Sequence, residues 1–295
     1  MPEETLLTVG TTFSGIGAPE QALKNLNIPH KVKWACDIDK KAKTTYQANH
    51  QAEKFYDDIT TIDLNSLDYV DLYVFGFPCQ DVSTAGKQNL SGGRTVLVNY
   101  SLDIIDKIQP KYIIFENVKG LLNSKFQPFF DYILQRLSGY KLKYKVLNSL
   151  DYGQVPQNRE RVFCVGIRKD LDQEFIFPDK LPRIELQDIL EPETDIPATA
   201  RIPDDKLEKI KGYKRWGTHI GSTSTKHCPC LCAVGKSDVL VLEDKKRILT
   251  QKECLRLQGF PDDFVFSVTL NQSYKQLGNS ITVKVLERLL VNLIR

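Results

Sequence analysis

The sequence contains no apolar run that approaches the length needed to cross a bilayer, so no membrane-spanning helix is expected. Its first residues, Met1-Pro2-Glu3-Glu4, are acidic and lack the basic and apolar regions of a secretory signal peptide. These two absences predict a cytoplasmic protein that does not contact a membrane.

Disulfide and metal-binding patterns are missing as well. The seven cysteines are an odd number, and without a secretory signal they predict reduced thiols rather than a disulfide framework. The segment from His227 to Cys232 reads His-Cys-Pro-Cys-Leu-Cys, but structural zinc sites usually pair two such halves and the sequence has no second half. We therefore predict no metal site.

The composition is that of a globular protein of one or two domains. Of the 295 residues, 41% are hydrophobic and 26% are charged, which is enough to build a full core. The net charge of +3 neither requires nor excludes a nucleic-acid partner. Residues 170–195 are strongly acidic and residues 201–226 are basic, which fits either a solvated face or a domain that meets phosphates.

Short apolar runs alternate with helical patterns in the first part of the chain, which predicts an open α/β sheet. The predicted strands are Leu6–Val9, Lys31–Ala35, Val70–Phe75, Tyr112–Phe115, Lys141–Leu150 and Arg161–Ile167. The alternation is lost after about residue 179. We therefore predict three segments, a first domain of residues 1–178, a small loop-rich domain of residues 179–262, and a C-terminal segment of residues 263–295. Gly278-Asn279-Ser280 is predicted to open a final helix that docks back on the first domain.

The third clear strand leads directly into Gly76-Phe77-Pro78-Cys79-Gln80. A thiol in a loop at the carboxyl end of a strand lies where ligands bind in an open α/β sheet, and a thiolate is a good nucleophile. The alternative is a buried structural cysteine, since free cysteine is among the most buried residue types. The segment from Gln80 to Arg94 is either a loop that closes over a substrate or an ordinary surface loop.

A glycine-bearing turn from Phe13 to Ala18 follows the first strand, and Asp37 follows the second. Such a turn lets a ligand approach the backbone, although Glu20 stands where the G-x-G-x-x-G fingerprint has its third glycine. An acid at the tip of the second strand can accept hydrogen bonds from a ribose, or Asp37 or Asp39 can cap the next helix.

Further polar residues are expected at the same edge of the sheet. Glu116 follows the strand that ends at Phe115, on the edge that also carries Cys79. Arg159 and Arg161 are two residues apart on an extended segment and are expected to point to the same side, towards a carboxylate, a base or a phosphate. A surface ion-pair patch is the alternative.

Taken together, these motifs resemble those of the cytosine-C5 DNA methyltransferase family. The matching stretches occur in the family's order and cover nearly the whole chain except the loop-rich domain. They are Phe13-Ser14-Gly15-Ile16-Gly17, Gly76-Phe77-Pro78-Cys79-Gln80, Glu116-Asn117-Val118, Gln157-Asn158-Arg159-Glu160-Arg161, the stretch from Leu249 to Pro261, and Gln276-Leu277-Gly278-Asn279-Ser280.

The resemblance implies an α/β, doubly wound, mostly parallel methyltransferase sheet with a small loop-rich target recognition domain. It implies Cys79, Glu116, Arg159 and Arg161 as catalytic residues acting on a cytosine flipped out of double-stranded DNA, with S-adenosylmethionine as the methyl donor. It also implies a monomer, and it leaves open a cognate restriction endonuclease that forms no stable complex. The implied cofactor-binding residues are Phe13, Gly15, Gly17, Asp37, Ile38, Asp58, Pro78, Leu97, Asn279 and Ser280.

The resemblance leaves three alternatives to DNA methylation. Relatives that share these motifs methylate tRNA, but their usual Cys-Phe-Thr signature is absent from the sequence. A non-catalytic DNA-binding paralogue would have no chemical reason to keep Cys79, Glu116 and both arginines. A nicotinamide-dependent oxidoreductase would explain only the glycine turn. Two departures from the family pattern are Ala18, in place of a frequent second glycine, and Cys230-Leu231-Cys232, where members often have Thr-Leu-Thr.

Overall fold

The computed structural model describes residues 6–78, 94–212, 220–235 and 239–294. The chain divides into two compact units. The first unit contains residues 1–147, 160–178 and 287–295, and the second contains residues 148–159 and 179–286. No helix within the described ranges is long and apolar enough to cross a membrane.

The first unit is built on a seven-stranded sheet. Its strands are β1 (Leu7–Thr12), β2 (His30–Cys36), β3 (Ala52–Tyr56), β4 (Leu72–Phe75), β5 (Tyr112–Val118), β6 (Tyr140–Asn148) and, after the short β7 (Gln157–Asn158) of the second unit, β8 (Glu160–Arg168). The strand order is β3-β2-β1-β4-β5-β8-β6. β1 to β5 run parallel to one another, and β8 is antiparallel to β5. The order runs outward from β1 in one direction to β3 and from β4 in the other, so the sheet is doubly wound and mostly parallel, as predicted.

Helices connect these strands, as the length of parallel crossovers requires. They are α1 (Ala18–Asn25), α2 (Lys40–Asn49), α3 (Val98–Ile108) and α4 (Gln127–Arg136). α2 begins at an N-cap, Asp39, whose side chain accepts hydrogen bonds from the backbone N–H groups of Lys41 and Ala42. Asp39, and not Asp37, therefore caps this helix.

The core of the first unit is rich in aromatic side chains. The rings of Trp34, Tyr73, Phe75 and Phe115 are buried, and consecutive ring centroids along this series lie 5.3, 5.0 and 5.4 Å apart. A Cβ atom at Gly10 in β1 would lie 2.3 Å from the indole ring of Trp34. Glycine at this position therefore leaves room for the indole ring against the sheet.

The second unit consists of short strands, short helices and long connections. Besides β7, its strands are β9 (Ile220–Gly221), β10 (Cys228–Pro229), β11 (Val241–Leu242) and β12 (Arg247–Ile248). β10 pairs with β7, and β9, β11 and β12 form a three-stranded sheet. Its helices are α5 (Ser149–Tyr152), α6 (Asp204–Gly212), α7 (Gln251–Gln258), α8 (Leu270–Asn279) and the first turn of α9 (Val283–Ile294).

α7 shows both terminal signals that the sequence of its motif contains. At its start, the Thr250 side chain accepts from the Glu253 N–H, and the Glu253 side chain accepts from the Thr250 N–H, which is a capping box. At its end, Gly259 adopts the left-handed conformation, with φ 78°.

The structure corrects two predicted elements. Gly278-Asn279-Ser280 does not open the last helix. Instead α8 ends at Asn279, and α9 begins at Val283. Strand β3 was not predicted because only part of Ala-Glu-Lys-Phe-Tyr is apolar, and it is held by backbone pairing with β2.

The division into units also differs from the predicted segments in two places. Residues 148–159 belong to the second unit, where the Gln157 side chain donates to the Leu257 carbonyl and accepts from the Leu231 N–H. Residues 263–286 belong to the second unit as well, and the Gln258 side chain donates to the Leu277 carbonyl there. The boundary between Pro178 and Asp179 coincides in both descriptions.

Candidate active site

The loops that follow β1 and β4 leave the sheet side by side. The two strands are parallel neighbours, and Thr12 at the end of β1 pairs with Phe75 at the end of β4. The order of the strands reverses between them, and crevices at such switch points bind ligands in open α/β sheets. The glycine turn after β1 and Gly76-Phe77-Pro78 after β4 therefore lie at the edge where a site is expected.

The glycine turn has an unusual backbone. Phe13, Gly15 and Gly17 all have positive φ, at 54°, 55° and 83°. A Cβ atom on Gly17 would lie 2.3 Å from the imidazole of His50, whereas a Cβ built on Gly15 would have no heavy atom of the described residues within 4 Å apart from its chain neighbours. The backbone at Gly15 is thus open to a ligand. Gly17 instead packs against His50, the residue that follows α2.

His50 packs against the glycine turn and supports it. The sequence analysis did not predict this role. Burial lowers the pKa of His50 to about 4, and the positive charge of Lys24 acts in the same direction, while a hydrogen bond with the Ile16 backbone opposes both. The imidazole is therefore neutral at physiological pH. No local pattern in the sequence indicates this contact, because His50 lies 33 residues after Gly17.

Asp37 reaches across to the glycine turn. Its Oδ2 accepts from the Gly15 N–H at 2.7 Å, and its Oδ1 accepts from the Asp39 N–H at 2.8 Å. Burial raises the pKa of the Asp37 carboxyl group, and these two N–H groups oppose that rise. Each carboxylate oxygen has a further lone pair, so Asp37 retains the capacity to accept two hydroxyl groups.

The other predicted cofactor residues of the first unit have varied environments. The Ile38 side chain is 74% exposed, which is unusual for a large apolar residue. Asp58 accepts from the backbone N–H and the hydroxyl of Thr60, each at 2.9 Å, and caps a short 3₁₀ turn. Pro78 and Leu97 are half-buried, and Leu97 packs against the core.

These residues fit a nucleoside-containing cofactor. An open backbone at Gly15, a carboxylate with spare acceptor capacity and an exposed apolar side chain offer partners to a polar tail, a ribose and a purine face, respectively. Asn279 and Ser280, which the resemblance also assigns to the cofactor, lie in the second unit at the end of α8.

The segment that leads to the candidate nucleophile is tied to β5. Phe77 is 2% exposed, and its carbonyl accepts from the Asn117 side chain at 3.0 Å. Cys79, and the predicted closing loop up to residue 93, lie outside the described residues. Asn117 belongs to the Glu116-Asn117-Val118 motif. The sequence does not predict its contact with Phe77, because the two residues are 40 positions apart.

Glu116 and Arg161 form an ion pair at the same end of β5. Arg161 Nε lies 3.1 Å from Glu116 Oε1, and their side chains are only 18% and 12% exposed. Val118 pairs with Arg161 across the antiparallel strands, so Glu116 lies diagonally opposite Arg161 on the same face. Arg161 also donates to the Glu160 carbonyl at 2.8 Å.

Arg159 is in a different environment. It belongs to the second unit, is 3% exposed, and donates to the carbonyl groups of Leu231, Gly278 and Ser280 at 3.0, 3.2 and 2.7 Å. It also donates to Cys230 Sγ at 3.2 Å. The two arginines were predicted to point to the same side. Arg159 contacts main-chain carbonyl groups of the second unit, whereas Arg161 pairs with Glu116 in the first unit.

The carbonyl groups that Arg159 binds belong to a closely packed region of the second unit. A Cβ atom on Gly278 would lie 2.0 Å from the carbonyl oxygen of Cys232, so only glycine fits there. The Arg159 side chain joins the Leu231 segment to the end of α8 through main-chain contacts. Arg159 therefore holds the Leu231 segment and the end of α8 in position.

This fold and edge arrangement define an α/β methyltransferase. The solved structure of the Schizosaccharomyces pombe Dnmt2 methyltransferase has the same fold, with a TM-score of 0.79 and 25% identity over 98% of this chain and 100% of that one.

The sequence comparisons identify the family. The family model of the C-5 cytosine-specific DNA methylases matches residues 7–227 and 199–295. The Type II methyltransferase M.Bsp6I of Bacillus sp. (strain RFL6) is 30% identical over 98% of both chains. M.NgoBI of Neisseria gonorrhoeae, also a Type II methyltransferase, is 34% identical over 93% of this chain and 89% of its own length. The chain belongs to the C-5 cytosine-specific DNA methylase family and is a DNA cytosine-5 methyltransferase, as the resemblance predicted.

Proposed function

We propose that this enzyme transfers a methyl group from S-adenosylmethionine to C5 of a cytosine flipped out of double-stranded DNA, at one short recognition sequence. The observation that carries the proposal is the Glu116–Arg161 ion pair of 3.1 Å at the end of β5, next to the strand that leads into Pro78 and Cys79. A flipped base is required because, in a stacked cytosine, the neighbouring bases cover both faces of the ring, along which a thiolate must reach C6 and a methyl donor must reach C5.

Cys79 is the proposed nucleophile. Cytosine C5 is a poor nucleophile, so the Cys79 thiolate first adds to C6, which makes C5 enamine-like. C5 would then take the methyl group from the sulfonium donor, with cleavage of the donor's S–CH₃ bond and release of a neutral thioether. Loss of the C5 proton to a base, followed by cleavage of the bond between Sγ and C6, restores the aromatic ring and the free thiolate.

Glu116 and Arg161 have complementary proposed roles. Glu116 contacts N3 and the exocyclic amino group of the cytosine, and a proton held there offsets the negative charge that builds up on the ring when the thiolate adds. Arg161 keeps the Glu116 carboxylate in place through their ion pair and has further donors for the base O2. The Asn117 contact with the Phe77 carbonyl fixes the approach of the nucleophile segment.

The proposed cofactor residues are those of the first unit around Gly15 and Asp37. Asp37 accepts the two ribose hydroxyls with its remaining lone pairs, and Ile38 covers one face of the adenine. Phe13, Gly15 and Gly17 surround the methionine part, Asp58 faces the adenine amino group, and Pro78 and Leu97 complete this part of the pocket. Asn279 and Ser280 of the second unit are proposed cofactor residues on the resemblance alone.

The loop-rich second unit is proposed to read the target sequence. Its basic run begins with Arg201, whose guanidinium lies 2.9 Å from Glu193 and is therefore paired within the unit. Phosphate contacts would fall to the cations that follow Arg201, while base edges are read in the major groove.

The proposal is tested by bisulfite sequencing of DNA from cells that express the protein, beside cells that express Cys79→Ala. Modified cytosines in one short context, absent with the variant, are the expected result. RNA from the same cells is treated in parallel. Methylation that persists with Cys79→Ala would overturn the thiolate mechanism, and modification confined to RNA would overturn DNA as the substrate.

A further inference from the structure

A buried carboxyl group lies beneath the glycine turn and is not explained by the proposed chemistry. Glu20, in the first turn of α1, is 1% exposed. Its Oε1 is within hydrogen-bonding distance of Thr11 Oγ1, at 2.9 Å, and of the Tyr46 hydroxyl, at 2.8 Å. Its Oε2 is buried and has no hydrogen-bond partner among the described residues. No cation among them pairs with Glu20.

The contacts continue from Glu20 to the tip of β2. Thr11 Oγ1 lies 2.8 Å from Ser14 Oγ. The Ser14 hydroxyl donates to the Cys36 carbonyl, and the Cys36 N–H donates back to Ser14 Oγ, each at 3.1 Å. Cys36 immediately precedes Asp37, and Ser14 immediately precedes Gly15. The network therefore ends at the residues that directly precede Gly15 and Asp37, whose hydrogen bond forms the proposed ribose site.

Counting hydrogens indicates which form of Glu20 completes the network. Four contacts join Tyr46, Glu20, Thr11, Ser14 and the Cys36 carbonyl, and each needs one hydrogen atom. The three hydroxyl groups supply only three. A protonated Glu20 supplies the fourth by donating to Thr11, whose own hydrogen then points to Ser14. Burial raises the pKa of the Glu20 carboxyl group, in agreement with this count.

A neutral carboxyl group also suits the surroundings of Oε2. An ionised carboxylate without a cation is very costly to bury, whereas an unpartnered carbonyl oxygen costs far less. The position of Glu20 where the dinucleotide fingerprint has glycine thus acquires a structural reason. A side chain there reaches Thr11 and Tyr46 and ties the turn to α2.

We infer that Glu20, as a neutral carboxylic acid, is a positioning residue that holds the Ser14-Gly15 turn and the Cys36-Asp37 strand end in the geometry that binds the cofactor. This inference rests on the proposed use of Gly15 and Asp37 for S-adenosylmethionine. It assigns Glu20, Thr11 and Tyr46 no contact with the cofactor.

The same strand offers a matched control at its other end. Thr8 Oγ1 donates to Asp71 Oδ2 at 2.6 Å, so β1 carries two threonine–carboxyl hydrogen bonds. Only the one at Thr11 leads to the turn. Thr11→Val and Thr8→Val each remove one hydroxyl with little change in volume. Both should lower the melting temperature, but only Thr11→Val should affect the cofactor.

The test measures S-adenosylmethionine binding by calorimetry, the KM for S-adenosylmethionine, kcat, and the melting temperature. Loss of one or two positioning hydrogen bonds predicts a Kd for S-adenosylmethionine raised about fivefold in Thr11→Val and about tenfold in Glu20→Leu. KM should rise in parallel, with kcat little changed. Glu20→Gln, whose amide nitrogen in the place of Oε1 has two hydrogens and can donate to both Thr11 and the Tyr46 hydroxyl, should bind within about twofold of wild type, as should Thr8→Val.

Three outcomes would contradict the inference. Wild-type affinity in Thr11→Val would remove the network's role, even if Glu20→Leu does not fold. Equal weakening in Thr8→Val and Thr11→Val would show a general loss of stability, and a Glu20→Gln variant as weak as Glu20→Leu would show that the ionised form is needed. Wild-type protein that binds no S-adenosylmethionine would instead overturn the proposed function, and the inference with it.

Discussion

The two units hold the two arginines of one motif in different ways. In the first unit, the Glu116–Arg161 pair stays partly exposed at a strand end, above a core of aromatic and aliphatic residues. In the second unit, Arg159 is almost fully buried and donates to three backbone carbonyl groups. Two arginines of one motif thus have different environments, and residue type alone does not separate a reactive group from a structural one.

A second buried arginine shows the same use in the second unit. Arg247 is 1% exposed and lies 2.9 Å from Glu253, which is fully buried. Buried charges are tolerated when they are paired and hydrogen-bonded, and here both conditions are met. The second unit, with its short strands, therefore buries arginine side chains that are paired or hydrogen-bonded, whereas the first unit combines a large apolar sheet core with buried hydroxyl and carboxyl groups such as those of Thr11 and Glu20.

The largest effect on stability is expected for Arg159→Met. The change leaves the carbonyl groups of Leu231, Gly278 and Ser280 buried without their donor, so unfolding should become easier by about 3–5 kcal/mol. Urea unfolding followed by fluorescence measures it. Arg161→Met is the control and should cost about 1 kcal/mol while it reduces methyl transfer. Equal destabilisation by the two changes would remove the contrast between the arginines.

Glu116→Gln should affect activity rather than stability. The amide cannot hold or supply the proton in the same way, and we expect methyl transfer to fall by about 10²–10³-fold. Transfer of labelled methyl groups to DNA measures the rate, and the melting temperature should stay close to that of the wild type. An active variant would sink the proposed role of the carboxyl group.

Asp37→Asn should have a smaller effect, limited to the cofactor. One carboxylate oxygen becomes an amide N–H₂ that faces the N–H of Gly15 or of Asp39, and an acceptor for the ribose is lost. We expect the Kd for S-adenosylmethionine to rise about tenfold. DNA binding measured by gel shift should not change, and a matching loss of DNA affinity would argue against a cofactor-specific role.

The smallest effect is expected for the Lys119–Glu160 ion pair of the first unit. The two side chains are 58% and 45% exposed, with Nζ and Oε2 3.1 Å apart. A double-mutant cycle with Lys119→Met and Glu160→Gln should give a coupling of about 0.2–1 kcal/mol. The coupling should weaken in high salt because the charges are exposed. A coupling as large as that of a buried pair would contradict the view that exposed charges of this unit contribute little to folding.

Much of the first unit could be predicted from local patterns. The apolar runs at Val70–Phe75 and Tyr112–Phe115 correspond to β4 and β5, and the residues after them lie at the expected edge. The second unit could be predicted less well. Its two-residue strands are too short to show a period. Most residues of α8 are polar, and Gly278-Asn279-Ser280 at its end was assigned to the start of the next helix.

Local patterns in the amino-acid sequence are enough to predict the α/β sheet, the placement of Gly15, Asp37 and Glu116 near strand ends, and the family. They do not predict that Arg159 is buried against Ser280, 121 residues away, or that Glu20 contacts Tyr46 beneath the glycine turn. The difference arises from the separation of the interacting residues along the chain. Periodicity reports which face of an element is apolar, whereas the partner of a buried polar group is chosen by packing between segments far apart in the chain.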